Sequence, residues 1–202
     1  QQIWEDVDSE TEHNAPDAIC LGFGLCSNGV VGLEALRVPL VVPRTDDCIA
    51  LFLGSQARYL KLFKEMQGTY WLNNGWIEEC GSLVSQRQTR EQRWQTYAEK
   101  YGEDNADYLL EQEGLWMERY EICDFIESDV FFNPAYPGLA QKAAQENGWE
   151  YKRVPGDLSL LKRMLEGDWD DSEFLVCPPG QRVEAEYTGR KVQAVPAEGT
   201  NP

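Results

Sequence analysis

Short apolar runs, each closed by a Gly, Pro or Asn/Asp turn and followed by a helix-period segment, constrain this chain more than any other feature. Residues 18–23 (Ala-Ile-Cys-Leu-Gly-Phe) form the first such run. Pro39-Leu40-Val41-Val42-Pro43 is the second, with its prolines at the ends, where a strand tolerates them. Apolar runs without polar alternation belong to strands buried on both faces, as in parallel sheets flanked by helices. Residues 69–72, 129–132, 149–154 and 173–177 read as four further strands from their β-branched and aromatic content and the turn residues that bound them.

Helical patterns fill the gaps. Residues 30–36 read as a short helix. Thr45-Asp46-Asp47 offers N-cap side chains to a long amphipathic helix with Ile49, Phe52, Leu53, Leu60, Phe63 and Met66 at three- and four-residue spacings. Residues 85–125 are strongly helical, broken near Tyr101-Gly102. Helices over 139–147, ended by Gly148, and over 158–165, capped by Asp157, follow. The expected fold class is α/β: a three-layer Rossmann-like sandwich around a mainly parallel sheet, with a helical insert at about 85–125. The 202 residues fit one domain over 1–195, and 196–202 reads as a flexible tail.

Charge narrows the partners. With 18 basic against 35 acidic residues, the net charge of −17 repels phosphate backbones and anionic bilayers, so nucleic acid and membrane are not expected partners. No apolar run approaches the roughly 18–20 residues that span a bilayer, and the opening residues show no signal-peptide pattern. Six cysteines are too sparse for a disulfide scaffold; with Cys20, Cys48, Cys123 and Cys177 beside large apolar residues, they favour a reducing, cytoplasmic setting.

Ligand sites in open parallel sheets lie beyond the carboxyl ends of the strands. The turns expected on that edge are residues 22–29, 44–48, 73–79 and 178–182. They carry Cys26 after the first strand and Cys48 after the second, two thiols that meet if those strands are neighbours. A zinc ion would take two thiolates with an oxygen or nitrogen ligand, whereas an iron–sulfur cluster wants a third or fourth cysteine. Asp47 and Glu79 are candidate oxygen ligands, and Cys80 is a further thiol. Cys48, expected in the first turn of a helix, should be more acidic than an ordinary thiol, and so is a candidate nucleophile as well as a ligand. The plain alternative is that both cysteines are ordinary turn residues.

Gly22, Gly24, Ser27, Asn28, Arg44 and Asp46 are the residues expected to line a cofactor at the same edge. The glycines also have a purely steric reading, because Gly22-x-Gly24 followed by Gly29 is not the dinucleotide fingerprint and no phosphate-loop motif occurs. His13, the single histidine, lies in the polar leader, which removes Ser–His catalysis. Tyr70, Trp71 and Trp76 are candidates to wall an apolar pocket.

Four ordered blocks, ICLGFGLCSNGVVGL, PLVVPRTDDCIALFLGS, GTYWLNNGWIEE and GDLSLLKRMLEGDWDDSEFLVCPPG, resemble the DUF1638 family over residues 17–183. The resemblance implies an α/β fold, preceded by an N-terminal strand that the leader here does not offer. It also implies a link to corrinoid-dependent methyltransferases, hence a corrinoid as cofactor, a corrinoid protein or methyltransferase as partner, and a role in one-carbon metabolism. Cys26 and Cys48 match the family's turn cysteines. Asp47 stands where the family pattern has a histidine, which argues against a histidine ligand, and the other four cysteines are peculiar to this chain. Two functions are therefore expected in competition: a protein that binds a metal or metallocofactor through the turn cysteines, and an accessory subunit that docks through the insert. A metal-free thiol enzyme is the third.

Overall fold

The computed structural model describes residues 16–79, 90–130 and 133–197. The described parts of Gln1–Tyr59 and Asp157–Pro202 make one compact unit, and those of Leu60–Gly156 a second.

In the first unit β2 (Leu40–Pro43), buried along its whole length, runs between β1 (Ile19–Cys20) and β6 (Phe174–Cys177). β1 pairs with it in parallel, Ile19 opposite Leu40 and Cys20 opposite Val41. β6 is antiparallel, so Cys177 lies beside Leu40 and Phe174 beside Pro43. The pleat sends alternate residues to opposite faces. Leu40 and Val42 join a cluster with Leu21, Val30, Ala35, Leu175, Cys177, Val183 and Val192; Val41 joins another with Leu51, Leu160, Met164 and Phe174. Two short helices, α1 (Ile49–Phe52) and α2 (Gln56–Glu65), follow β2.

Two expectations fail in this unit. The helix expected at 30–36 does not form: only Cys26–Asn28 make a single 3₁₀ turn, and Gly32 then takes a left-handed conformation (φ 84°). The backbone here pairs instead with β7 (Gln181–Glu186): Gly32 N–H donates to Val183 O (2.8 Å) and Ala35 N–H to Gln181 O (2.8 Å). β7 and β8 (Lys191–Pro196) form an antiparallel hairpin that is not among the expected elements, with Val183 and Val192 fully buried. Ala197 N–H still donates to Gly180 O (3.0 Å), and residues 198–202 lie outside the described residues. The long helix after β2 is also broken. Gly54, left-handed at φ 82°, and the bridge from Leu53 to Asp157 separate α1 from α2.

The second unit holds a three-stranded parallel sheet in the order β3 (Thr69–Leu72), β4 (Ile122–Glu127), β5 (Glu150–Pro155). α3 (Asn74–Glu79) follows β3. α4 (Arg90–Tyr101) and α5 (Glu103–Met117) are parted by left-handed Gly102 (φ 87°), at the expected break. α6 (Tyr136–Asn147) starts with Pro137 in its first turn and ends on left-handed Gly148 (φ 72°). The central strand is displaced from its expected place: Asp129 and Val130 lie in a bend and turn, Phe131 and Phe132 lie outside the described residues, and Ile122–Glu127 is the strand. Its own residues explain the shift, since Cys123, Phe125 and Ile126 are a short, buried apolar run, interrupted only by Asp124, at the end of the expected helical insert.

The architecture is thus mixed α/β with a parallel three-stranded sheet; the described strands fall into separate sheets rather than one, and two pairings, β2–β6 and β7–β8, are antiparallel. α7 (Ser159–Glu166) returns to the first unit, with Asp157 Oδ1 accepting the Ser159 N–H (2.8 Å), in line with the expected cap. Among the described residues no helix is long and apolar enough to cross a membrane.

Candidate functional site

β1 and β2 are parallel neighbours, so the turns that leave their carboxyl ends emerge side by side. Pairing continues past the strands: Leu25 N–H donates to Thr45 O and Cys26 N–H to Asp46 O, both at 2.9 Å. Only glycine fits at position 24. A Cβ there would lie 2.7 Å from the backbone of Asp47, inside van der Waals contact, so the close approach of the two turns depends on that missing methyl. Cys26 takes the left-handed region itself (φ 33°).

This zipping sets Cys26 and Cys48 side by side at the rim, close enough for the two thiols to act on each other electrostatically. Cys48 is the N-cap residue of α1 and packs against the cluster of Val41, Leu51, Leu160, Met164 and Phe174. Burial pushes its thiol up to about 12, reinforced by the neighbouring Cys26 and Asp47 side chains. The expected acidic Cys48 is therefore corrected: α1 has only four residues, too few to build a strong dipole, and loss of water outweighs it. Burial therefore disfavours the Cys48 thiolate, so Cys48 is not the pre-activated nucleophile expected and reacts only after giving up its proton.

The other polar side chains at this edge are held by one another. Asp47 Oδ1 accepts the Ile49 N–H (2.9 Å), and its carboxylate also accepts from Ala50 N–H and the Tyr59 hydroxyl. Its pKa is raised by burial, against the pull of those bonds. The Tyr59 hydroxyl is raised too, by burial first and then by Asp47. Asp46 and Gln56 exchange a reciprocal pair, Asp46 N–H to Gln56 Oε1 (2.9 Å) and Gln56 Nε2–H to Asp46 Oδ2 (2.5 Å), and Lys191 Nζ reaches Asp46 Oδ1 at 2.7 Å. Arg44, 6% exposed, donates to the carbonyls of Asp171 (2.9 Å), Phe174 (3.2 Å), Arg190 (3.1 Å) and Val192, and to Asp171 Oδ1 (3.1 Å). It ties the end of β2 to β6 and the hairpin.

Of the residues picked from sequence, Cys26, Cys48, Asp46, Asp47, Gly24 and Arg44 come together at this rim. Gly22 is exposed beside β1, Asn28 is exposed with a positive φ (65°), and Ser27 lies in the 3₁₀ turn, its side chain outside the described set. Glu79 belongs to the second unit, at the end of α3, its side chain likewise outside the described set; Cys80 and His13 are also outside the described residues. The turn after β6 is corrected: β6 runs antiparallel to β2, so residues 178–182 leave the opposite end of the sheet. In the second unit Tyr70 packs on Tyr120 (5.3 Å) and Trp149 (5.5 Å) as part of an aromatic core, while Trp76 is exposed. Tyr59, Gln56 and Lys191 are the site residues that sequence reasoning misses. The first two stand at i, i+3 on the next helix, a polar pair that the sequence offers to view; Lys191 belongs to the unexpected hairpin.

Among the described residues no group of three or more His, Cys, Asp or Glu side chains is arranged to hold a metal ion. The donor set at the rim is two sulfurs, since the oxygens of Asp47 are occupied by N–H and O–H donors.

A family description, a protein of unknown function named DUF1638, matches residues 1–165. The chain belongs to the DUF1638 family. The match ends before β6 and the β7–β8 hairpin, although the buried Val183 and Val192 of that hairpin complete the core beside β2. No curated protein and no solved structure matches the chain.

Proposed function

We propose that this DUF1638 member binds a thiophilic metal or a metal-bearing cofactor through Cys26 and Cys48, in corrinoid-linked methyl-transfer metabolism. The observation that carries the reading is the close backbone approach of the two turns that bear these thiols, permitted by glycine at position 24 and held by the Cys26 N–H to Asp46 O bond. Two sulfurs suit a two-coordinate soft ion, or a centre that brings its remaining ligands with it from a cofactor or substrate. They do not complete a structural zinc site or an iron–sulfur cluster, each of which takes four protein ligands as a rule. Asp47, Tyr59 and the Asp46–Gln56–Lys191 set fix the turn that presents Cys48. When bound, the metal would supply a Lewis acid that keeps both sulfurs deprotonated. The link to corrinoid methyltransferases that the resemblance implies suggests the metabolic context and the cofactor to try first.

The test is elemental analysis of protein prepared under reducing, anaerobic conditions, followed by titration with Co²⁺ and with cobalamin. Thiolate-to-cobalt absorption or a shifted corrinoid spectrum at about one equivalent, lost in both Cys26→Ser and Cys48→Ser, is expected. No bound metal and no spectral change would overturn the proposal. Because the Cys48 proton must leave, affinity should rise by about tenfold per pH unit on that account alone.

A second reading, an accessory subunit, draws on α4 and α5, which expose Tyr101, Tyr108 and Leu115 on an acidic pair of helices. The expected partner is a corrinoid protein or methyltransferase. Deleting residues 90–117 should abolish that association and spare metal content; retained association would refute it.

A further inference from the structure

We propose that Cys26 and Cys48 are also a redox couple, closing a reversible disulfide that locks the two turns together and withdraws both sulfurs from metal binding. The inference shares the thiol pair with the reading above and rests on the same close approach. The geometry of the two turns points to it. The 2.9 Å bond from Cys26 N–H to Asp46 O fastens Cys26 against the turn that carries Cys48 two residues on, and Gly24 lets the backbones close to where a Cβ would lie 2.7 Å from Asp47, so the two thiols act on each other. The other described thiols differ: Cys123 and Cys177 are buried, and Cys20 donates to Met164 O (3.5 Å). Cys26 and Cys48 are each part-exposed and sit in turns rather than in a sheet ladder, so the small movement to a bond of about 2.05 Å is available to them.

The oxidant is a low-molecular-weight disulfide such as oxidised glutathione. Cys26 Sγ, its proton passed to solvent, attacks one glutathione sulfur; the glutathione disulfide breaks and one glutathione leaves as a thiolate that takes up a proton. Cys48 Sγ, after its own proton goes to solvent, attacks Cys26 Sγ in the mixed disulfide and expels the second glutathione in the same way. The protein loses two hydrogens with two electrons, and the oxidant becomes two molecules of thiol.

Incubation of the full, metal-free chain with oxidised glutathione, followed by digestion without reduction, tests this. Cleavage after Phe23, Arg37 and Arg44 places Cys20, Cys26 and Cys48 on separate peptides. A Cys26–Cys48 cross-link that dithiothreitol reverses is expected, with loss of Co²⁺ binding in the oxidised form. Cys48→Ser should instead trap glutathione on Cys26. A lasting glutathione adduct on the unmutated chain, a cross-link elsewhere, or unreacted thiols would overturn the inference. If the disulfide forms but the reduced protein takes no metal, the metal reading falls and the redox couple stands; if metal is taken up but no cross-link forms, the redox couple falls and the metal reading stands.

Discussion

The rim of the first unit and the middle of the second unit's sheet both bury carboxylates, and they treat them in opposite ways. At the rim, Asp47 is surrounded by donors from Ile49, Ala50 and Tyr59, and Asp46 by Gln56 and Lys191. In the sheet, Asp124 is 1% exposed at the centre of β4, beside Trp71 and Lys152 in register, and its Oδ1 has no hydrogen-bond partner. Burial lifts its pKa from 3.8 to about 6, with only Lys152 pulling the other way. A polar edge that satisfies its own carboxylates, though not the buried Thr45 hydroxyl, holds its two part-exposed thiols side by side. A lone carboxylate in a sheet weakens the fold instead. Polar residues mark chemistry here where they fasten a turn, not merely where they are buried.

Four substitutions would break or sharpen this contrast. The largest effect is expected from Arg44→Met, which strips donors from the carbonyls of Phe174 and Val192 and should cost about 3–5 kcal/mol in chemical denaturation. Asp124→Asn should act with the opposite sign. In the unmutated chain the unfolded state ionises near 3.8 and the folded state near 6, so stability falls as pH climbs through that window and stays lower above it. The amide removes that slope; its stability relative to the parent should grow by about 2–2.5 kcal/mol between pH 4 and pH 7. A flat difference across that range would mean that Asp124 does not titrate as described.

Gly24→Ala should cost about 1–3 kcal/mol and, more tellingly, push the turns apart, weakening metal uptake and Cys26–Cys48 cross-linking together. Lys191→Met should cost less than about 1 kcal/mol, because the ion pair with Asp46 is partly solvated. A larger loss would mark the hairpin as a support of the Cys48 turn.

Much of this contrast is legible in the residues. The apolar runs at 39–43 and 173–177 and the β-branched and aromatic run at 69–72 correspond closely to β2, β6 and β3; the signal is most continuous for β2, which is buried along its whole length. The meeting of Cys26 and Cys48 follows from one further premise, that strands in succession are neighbours, which β1 and β2 satisfy. What the sequence conceals depends on distant pairing. Residues 30–36 have helical content but surrender their N–H groups to β7, and β6 turns antiparallel through contacts that local pattern does not encode. The Val183/Ala185 and Val192/Ala194 alternation around Gly189 is a hairpin signal that the compositional reading of the tail obscures. The acidity expected of Cys48 fails for a related reason: a helix terminus is visible in sequence, whereas the apolar cluster that dehydrates the thiol is assembled from β2, α1, α7 and β6.

The central claim is that the sulfurs of positions 26 and 48 share one site. A trivalent arsenical such as phenylarsine oxide reads this directly, because arsenic bonds two thiols only where they lie close together. The reduced chain should take up the reagent in a bridged adduct mapping to Cys26 and Cys48, and either serine substitution should abolish that adduct. An adduct unaffected by both substitutions, or none at those residues, would contradict the account.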